Sequence, residues 1–264
     1  MGAPPRTWLA RILVAIVVVA VFAANVSLPL PLWTRAFLLS LCAAVAGAVA
    51  YRLVPAFDPL GRVRWRVPSA AGSAPRCAIT FDDGPTTATS QVLDILAAEG
   101  VPATFFVLGR NVERYPHTVR RAQSEGHAIG VHGMDHSRLA GANESTIAAQ
   151  VAGVARVLEA AGVSPAAVYR TPHGWKSPGV FAAARRQGLT LWAWSRGVWD
   201  TDRPSPDVIV RRATRFARSG MVLLLHDGRG DDPQPDVAPM LAALPEILRE
   251  LKRRGFAFVR LADV

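Results

Sequence analysis

Hydrophobic positions change their spacing twice along the chain. From Ile12 to Thr34 no residue is charged, and Ile12–Ala24 is almost purely aliphatic. A second apolar run covers Ala36–Tyr51 and continues through Leu53–Phe57, broken only by Arg52. Roughly 20 apolar residues span a bilayer, so the first 67 residues read as a membrane anchor, a two-helix hairpin turning near Pro29, Pro31 and Trp33. The competing reading is a cleavable signal peptide, with Arg6 and Arg11 ahead of the core Ile12–Phe22 and small residues near Ala23. The second apolar run directly behind it argues for retention. Residues 68–75, rich in Pro, Ser, Ala and Gly, read as a linker.

From residue 76 to 264, short β-rich runs alternate with helical ones. The expected strands are Cys77–Asp83, Ala103–Leu108, Ala128–His132, Ala167–Thr171, Leu189–Ser195, Met221–Asp227 and Ala257–Leu261. Helices are expected at Thr87–Glu99, Val112–Glu125, Glu144–Ala161, Ser177–Gln187, Pro206–Arg218 and Val237–Arg254, several closed by a glycine such as Gly100, Gly162 or Gly255. Such alternation implies parallel strands covered by helices, as a barrel or a doubly wound sheet. Asp82 and Asp83, His132, Arg170 and His226 all fall at the carboxyl ends of strands, and His136 and Asp200 just beyond. Barrel enzymes keep their sites there, so the polar pattern favours the barrel.

Charge adds an argument about place. The net charge is +10. Residues 1–66 hold seven arginines and one acid, so most of the excess flanks the apolar runs. A hairpin would then hold both basic ends, and the following domain, on the cytoplasmic side. Arg211, Arg212, Arg215 and Arg218 lie in one helix-like run without a nucleic-acid motif, and read as a solvated face. No nucleic-acid or protein partner is expected. Cys42 and Cys77 are too few for a disulfide framework or a cysteine-rich zinc module.

His132 and His136 stand four residues apart, and two imidazoles with one carboxylate make a three-ligand metal site with an open position. Asp83 is the nearest carboxylate. Successive strand residues face opposite ways, so Asp82 and Asp83 share a pocket only if the backbone bends at the Gly84–Pro85 turn. The alternative is a pair of turn acids capping the next helix. His226 closes an apolar run, as either a general acid or a core histidine.

Thr80-Phe81-Asp82-Asp83-Gly84-Pro85 resembles the first motif of the polysaccharide deacetylases, the NodB-homology or family four carbohydrate esterases. His132-Gly133-Met134-Asp135-His136, Arg170-Thr171-Pro172-His173-Gly174, Trp194 to Thr201, and Leu223-Leu224-Leu225-His226-Asp227 resemble the later motifs in order. The resemblance implies an incomplete seven-stranded (β/α) barrel over 76–264. It implies one divalent metal ion, zinc above others, on Asp83, His132 and His136. Asp82 would be the base, oriented by Arg170, and His226 the acid, steadied by Asp200. His173, Leu224 and Trp175 would meet substrate, Leu224 at the acetyl methyl and the His173 amide at the oxyanion. Val131, Gly133, His173, Gly197 and Thr201 depart from the usual motif residues, which changes the groove wall more than the acid–base set.

The implied activity is removal of an N-acetyl group from an amino sugar of a glycan or lipid-linked saccharide. The alternatives are an O-acetyl esterase on a polysaccharide, or a non-catalytic, membrane-tethered glycan-binding protein. An integral cell-membrane location is expected, with family resemblance favouring the extracytoplasmic side against the charge count.

Overall fold

The computed structural model describes Ala23 and residues 30–264, except Pro55, Ala70, Ala71, Ala140, Asp231 and Pro233. It divides between Pro59 and Leu60 into two units. In the first, helix α1 covers Leu32–Leu53. Among the described residues no helix is long and apolar enough to cross a membrane. This corrects the expected integral membrane protein, and with it the membrane as a partner, which these residues do not support. The second apolar run does form a helix, but Arg35 and Arg52 in α1 leave only Ala36–Tyr51 uncharged, shorter than the roughly 20 apolar residues a bilayer needs. The first run and the turn after it lie largely outside the described residues.

The second unit, Leu60–Val264, is a curled parallel sheet with helices outside. Its strands are β1 (Val63–Arg64), β2 (Arg76–Asp82), β3 (Thr104–Leu108), β4 (Ala128–Gly133), β5 (Val168–Tyr169), β6 (Thr190–Trp192), β7 (Arg196–Gly197), β8 (Met221–His226) and β9 (Ala257–Phe258). The order is β1-β6-β5-β4-β3-β2-β8-β7, with β9 also on β2. β1 and β7 end the order unpaired with each other, which is the incomplete barrel. The expected fifth strand divides. Its first part, β6, pairs with β5 and β1, while β7 pairs with β8. Helices α2 (Thr87–Glu99), α3 (Gly109–Arg114), α4 (Pro116–Ser124), α5 (Glu144–Ala160), α6 (Pro178–Arg186), α7 (Pro206–Thr214) and α8 (Ala238–Arg253) join the strands. The single helix expected over 112–125 is two, because Pro116 has no N–H to continue the first and suits the N1 position of the second.

β2 shows how the alternation builds the interior. Cys77, Ile79 and Phe81 join the large core between sheet and helices. Ala78 joins a smaller inner cluster with Phe106, Trp192 and Val222. Thr80 and Asp82 share Ala78's face by the period of two and are also buried. Phe81 stacks on Phe105 with centroids 5.1 Å apart; truncating so buried a ring costs about 3–5 kcal/mol. Gly130 lets β4 lie close to its neighbours, since a Cβ there would sit 2.7 Å from Val168 and 2.9 Å from Phe106.

Candidate active site

The strand ends meet in a cleft of about 370 Å³ lined by Asp82, Asp83, His132, His136, His173, Leu224 and His226, among others. A larger concavity of about 670 Å³ runs along β1 and α6 and touches none of these side chains. Asp82 points inward in the regular alternation of β2. Asp83 would face outward, but its φ of +75° turns the backbone and carries its carboxylate into the same cleft. Three supports hold that turn. The Asn111 side-chain amide donates to the Asp83 carbonyl at 2.7 Å, and the Gly230 N–H donates to Asp83 Oδ2 at 2.8 Å. Gly228 packs so closely that a Cβ would lie 2.4 Å from the Asp83 carbonyl oxygen.

Asp83 Oδ1 is buried and accepts no hydrogen bond. His132 Nε2 and His136 Nε2 each lie 3.3 Å from it. One ligand atom from each residue falls within 4.8 Å of the others. His132 Nδ1 is 2.7 Å from the Arg170 carbonyl; a carbonyl only accepts, so Nδ1 carries the hydrogen and the neutral ring's Nε2 lone pair faces Asp83. An orphaned carboxylate oxygen facing two such ring nitrogens is a donor set that fits a divalent cation such as zinc. Burial raises the Asp83 pKa, but His132 and His136 beside it override this and hold the carboxyl well below its usual range. Burial keeps His136 below the ordinary histidine value, whereas the two aspartates raise His132 despite its burial.

Arg170 is wholly buried. Its Nη1 donates to Thr80 Oγ1 and to Asp82 Oδ1, both at 2.8 Å, and its Nη2 to the Ala193 carbonyl at 3.0 Å. The guanidinium lies 4.1 Å from the Phe106 ring centroid. The Asp82 carboxylate is thus held in one orientation, with Oδ2 3.7 Å from His132 Nε2.

Across the cleft, Asp200 holds His226 twice, accepting from the backbone N–H at 2.7 Å and from Nδ1 at 3.0 Å. Burial works against the imidazolium, but Asp200, with Asp83 and Asp82 behind it, outweighs burial and lifts His226 to about 10. The carboxylates thus favour the charged form of this ring.

Leu224 and His173 line the cleft; Trp175 is not among its lining residues. His173 sits at φ +58° with its ring 4.4 Å from that of His136. Burial and the neighbouring His136 lower its pKa to about 4, so it presents a neutral ring. Thr201 also lines the cleft.

Sequence reasoning missed Asn111, Gly228, Gly230 and the buried Asp227. Asp227 Oδ2 accepts from Thr89 Oγ1 at 2.6 Å, while Thr86 Oγ1 donates to the Asp227 carbonyl at 2.6 Å. Thr89 also accepts the Thr86 N–H in the capping box of α2. The signal for the glycines was present in the run His226-Asp227-Gly228-Arg229-Gly230, where repeated glycine beside an acid marks close backbone approach. Asn111 carried none, because its partner lies 28 residues away.

A strand-end cluster of one carboxylate and two imidazoles, set between a carboxylate and a protonated histidine, on a parallel half-barrel, is the framework of a hydrolase. Comparison with known proteins narrows the class. A family model described as polysaccharide deacetylase matches residues 70–192. The chain is 36% identical over 210 residues to a peptidoglycan-N-acetylglucosamine deacetylase of Bacillus cereus, covering 78% of this chain and 94% of that one. It is 34% identical over 197 residues to a chitooligosaccharide deacetylase of Sinorhizobium fredii, covering 72% and 92%. Among solved structures, the Bc1960 peptidoglycan N-acetylglucosamine deacetylase with a bound hydroxamic acid (a benzamide bearing N-hydroxyl) superposes with a TM-score of 0.72 at 29% identity, covering 78% of this chain and 96% of that one. A family 4 carbohydrate esterase from Streptomyces lividans in complex with acetate gives 0.64 at 26%, covering 70% and 93%. The chain belongs to the polysaccharide deacetylase family of carbohydrate-deacetylating hydrolases.

Proposed function

We propose that this protein is a divalent-metal-dependent deacetylase that hydrolyses the N-acetyl amide of an amino sugar in a glycan. The observation that carries the metal part is the unsatisfied Asp83 Oδ1 facing two imidazole nitrogens at 3.3 Å. Asp83, His132 and His136 would hold the ion, which when bound polarises the amide carbonyl and lowers the pKa of water. Asp82, fixed by Arg170, takes the proton from the attacking water. The His173 backbone N–H supplies a donor for the oxyanion, and Leu224 receives the acetyl methyl. The amine is a poor leaving group until protonated; His226 gives its proton to that nitrogen as the C–N bond breaks, with Asp200 stabilising its charged form beforehand. Return of the proton from Asp82 to His226 then completes the division of water between acetate and the free amine.

The catalytic unit is assigned to residues 76–264, with Val63–Arg64 adding its edge strand. A lipid-linked acceptor loses its argument together with the membrane anchor. His173 and Thr201 at the cleft leave a wall suited to a short stretch of glycan, with Trp175 beyond the cleft. The test is acetate release from N-acetylchitooligosaccharides and from O-acetylated xylan side by side, before and after chelation and zinc return. Zinc-restored release from the amide substrate is expected. Release from the ester alone would replace this reading with an O-acetyl esterase.

A further inference from the structure

A second, smaller cleft of about 260 Å³ is lined by Trp65, Arg66, Arg196, Phe216 and Arg218 together with Ser195 and Met221. It opens at the start of β8, whereas His226 ends that strand. Five residues of strand, roughly 17 Å, separate the two. Three arginines and no acid line it. Arg66 and Arg196 donate to the neutral carbonyls of Ser219 and Phe216, and among the described residues no carboxylate pairs with Arg66, Arg196 or Arg218. Their charge is therefore uncompensated. Two of the rings orient guanidinium groups: Arg66 lies 5.3 Å from the Trp65 centroid, and Arg215 and Arg196 lie 4.9 and 5.8 Å from that of Phe216. A guanidinium stacked on a ring keeps its in-plane N–H fork for an anion.

The walls are also fixed. The Val67 N–H donates to the Gly220 carbonyl at 2.9 Å, the hydroxyls of Ser69 and Ser219 pair at 2.7 Å, and Ser219 Oγ accepts the Arg76 N–H at 3.1 Å. A Cβ on Gly220 would lie 2.7 Å from the Val67 carbonyl oxygen, so this close approach needs glycine. Trp65 and Phe216 remain 39% and 56% exposed, and two large rings exposed side by side with cations mark a contact surface. The cleft has room for one sugar residue.

We propose that this cleft is an anchoring site for a saccharide that carries a carboxylate or phosphate, so that the protein holds an anionic glycan at one end of the barrel while acting at the other. The saccharide identity rests on the glycan reading above; the cationic, ring-backed cleft does not. The test is binding of polygalacturonate, a phosphomannan and uncharged N-acetylchitooligosaccharide by calorimetry, with wild type and with Arg218→Gln, Arg66→Gln and the pair. Arg218 and Arg66 are exposed, so these variants are expected to fold; circular dichroism and Tm check this, and Arg218→Lys serves as a milder second variant. Affinity for one or both acidic polymers should fall about tenfold per arginine removed, as loss of a charge-assisted hydrogen bond implies. Which polymer is lost identifies carboxylate or phosphate. Hydrolysis of short neutral oligomers should not change. Equal acidic-polymer binding by wild type and the pair overturns the proposal, as does equally tight binding of duplex DNA or phosphatidylglycerol vesicles. Intact polymer binding with no turnover of any acetylated substrate would instead sink the deacetylase reading and leave this one standing.

Discussion

Replacing Asp200 by Asn removes one charge beside His226 while leaving an oxygen to accept the His226 backbone N–H, now at 2.7 Å. The wild-type imidazole is lifted from 6.5 to about 10, equivalent to on the order of 5 kcal/mol in favour of the imidazolium. Burial acts in the opposite direction, while Asp83 and Asp82 still favour the charged ring, so the variant's ring is expected to titrate below the wild-type value. The sign for stability follows. A folded-state pKa above the unfolded one contributes stability that is full below pH 6.5 and is lost as pH rises toward 10. Wild type should therefore lose Tm over that window, and Asp200→Asn should be flatter there. Ring-proton NMR of His226 in chelator-treated protein reads the ionisation directly, and the alkaline limb of kcat in zinc-loaded protein should move to lower pH in the variant. Identical His226 titrations in the two proteins would refute the reasoning, because Asp200 would then not be what keeps the ring charged.

Asp82→Asn and His226→Ala should each retain metal, read by bound zinc after dialysis, while losing about 10²–10⁴ in kcat; a zinc-free Asp82→Asn would mean the two aspartates have exchanged roles. Gly228→Ala forces a Cβ to 2.4 Å from the Asp83 carbonyl oxygen, and should cost about 1–3 kcal/mol of stability and weaken zinc binding measured by competition. Arg170→Met leaves Asp82 buried without its partner, for which about 3–5 kcal/mol is expected by thermal or denaturant unfolding; an unchanged Tm would place the ion pair outside the stability of the fold.

The long strands and the caps were legible because their signals are local. Thr87–Glu99 is a helix from end to end as expected, started by the Thr86 capping box and stopped by Gly100 in the left-handed region. β8 was readable as an apolar run ending in His226. The two-residue strands β1 and β7 were not, since so short a segment becomes a strand only through its partners, Leu191–Trp192 and Leu223–Leu224. The same distinction governs the site. Its ionisable residues announce themselves by type at strand ends, but the four-residue spacing of His132 and His136, which suits one face of a helical turn, is met differently: His132 lies on β4 and His136 follows it at φ +59°. The bend that aims Asp83 is different. It depends on Asn111 of α3 and on Gly228 and Gly230 of a loop, 28 to 147 residues away, and no local pattern encodes such a meeting. The second apolar run misled for the opposite reason. Its whole length was weighed, while in α1 Arg35 and Arg52 leave only Ala36–Tyr51 uncharged, shorter than the roughly 20 residues a bilayer needs.

Arg170 uses its side chain to hold Asp82 and its backbone carbonyl to hold His132, whereas His226 depends on Asp200 from another part of the chain. The two halves of the chemistry therefore have unequal freedom to evolve. A substitution that adjusts Asp82 also disturbs His132 through the same residue, so that half should change slowly and together. His226 hangs on a separate tether, and its ionisation can drift with Asp200 and its neighbours. Adaptation of this enzyme to more acidic or more alkaline surroundings would accumulate on the His226 side, while the Asp82 side stays as it is.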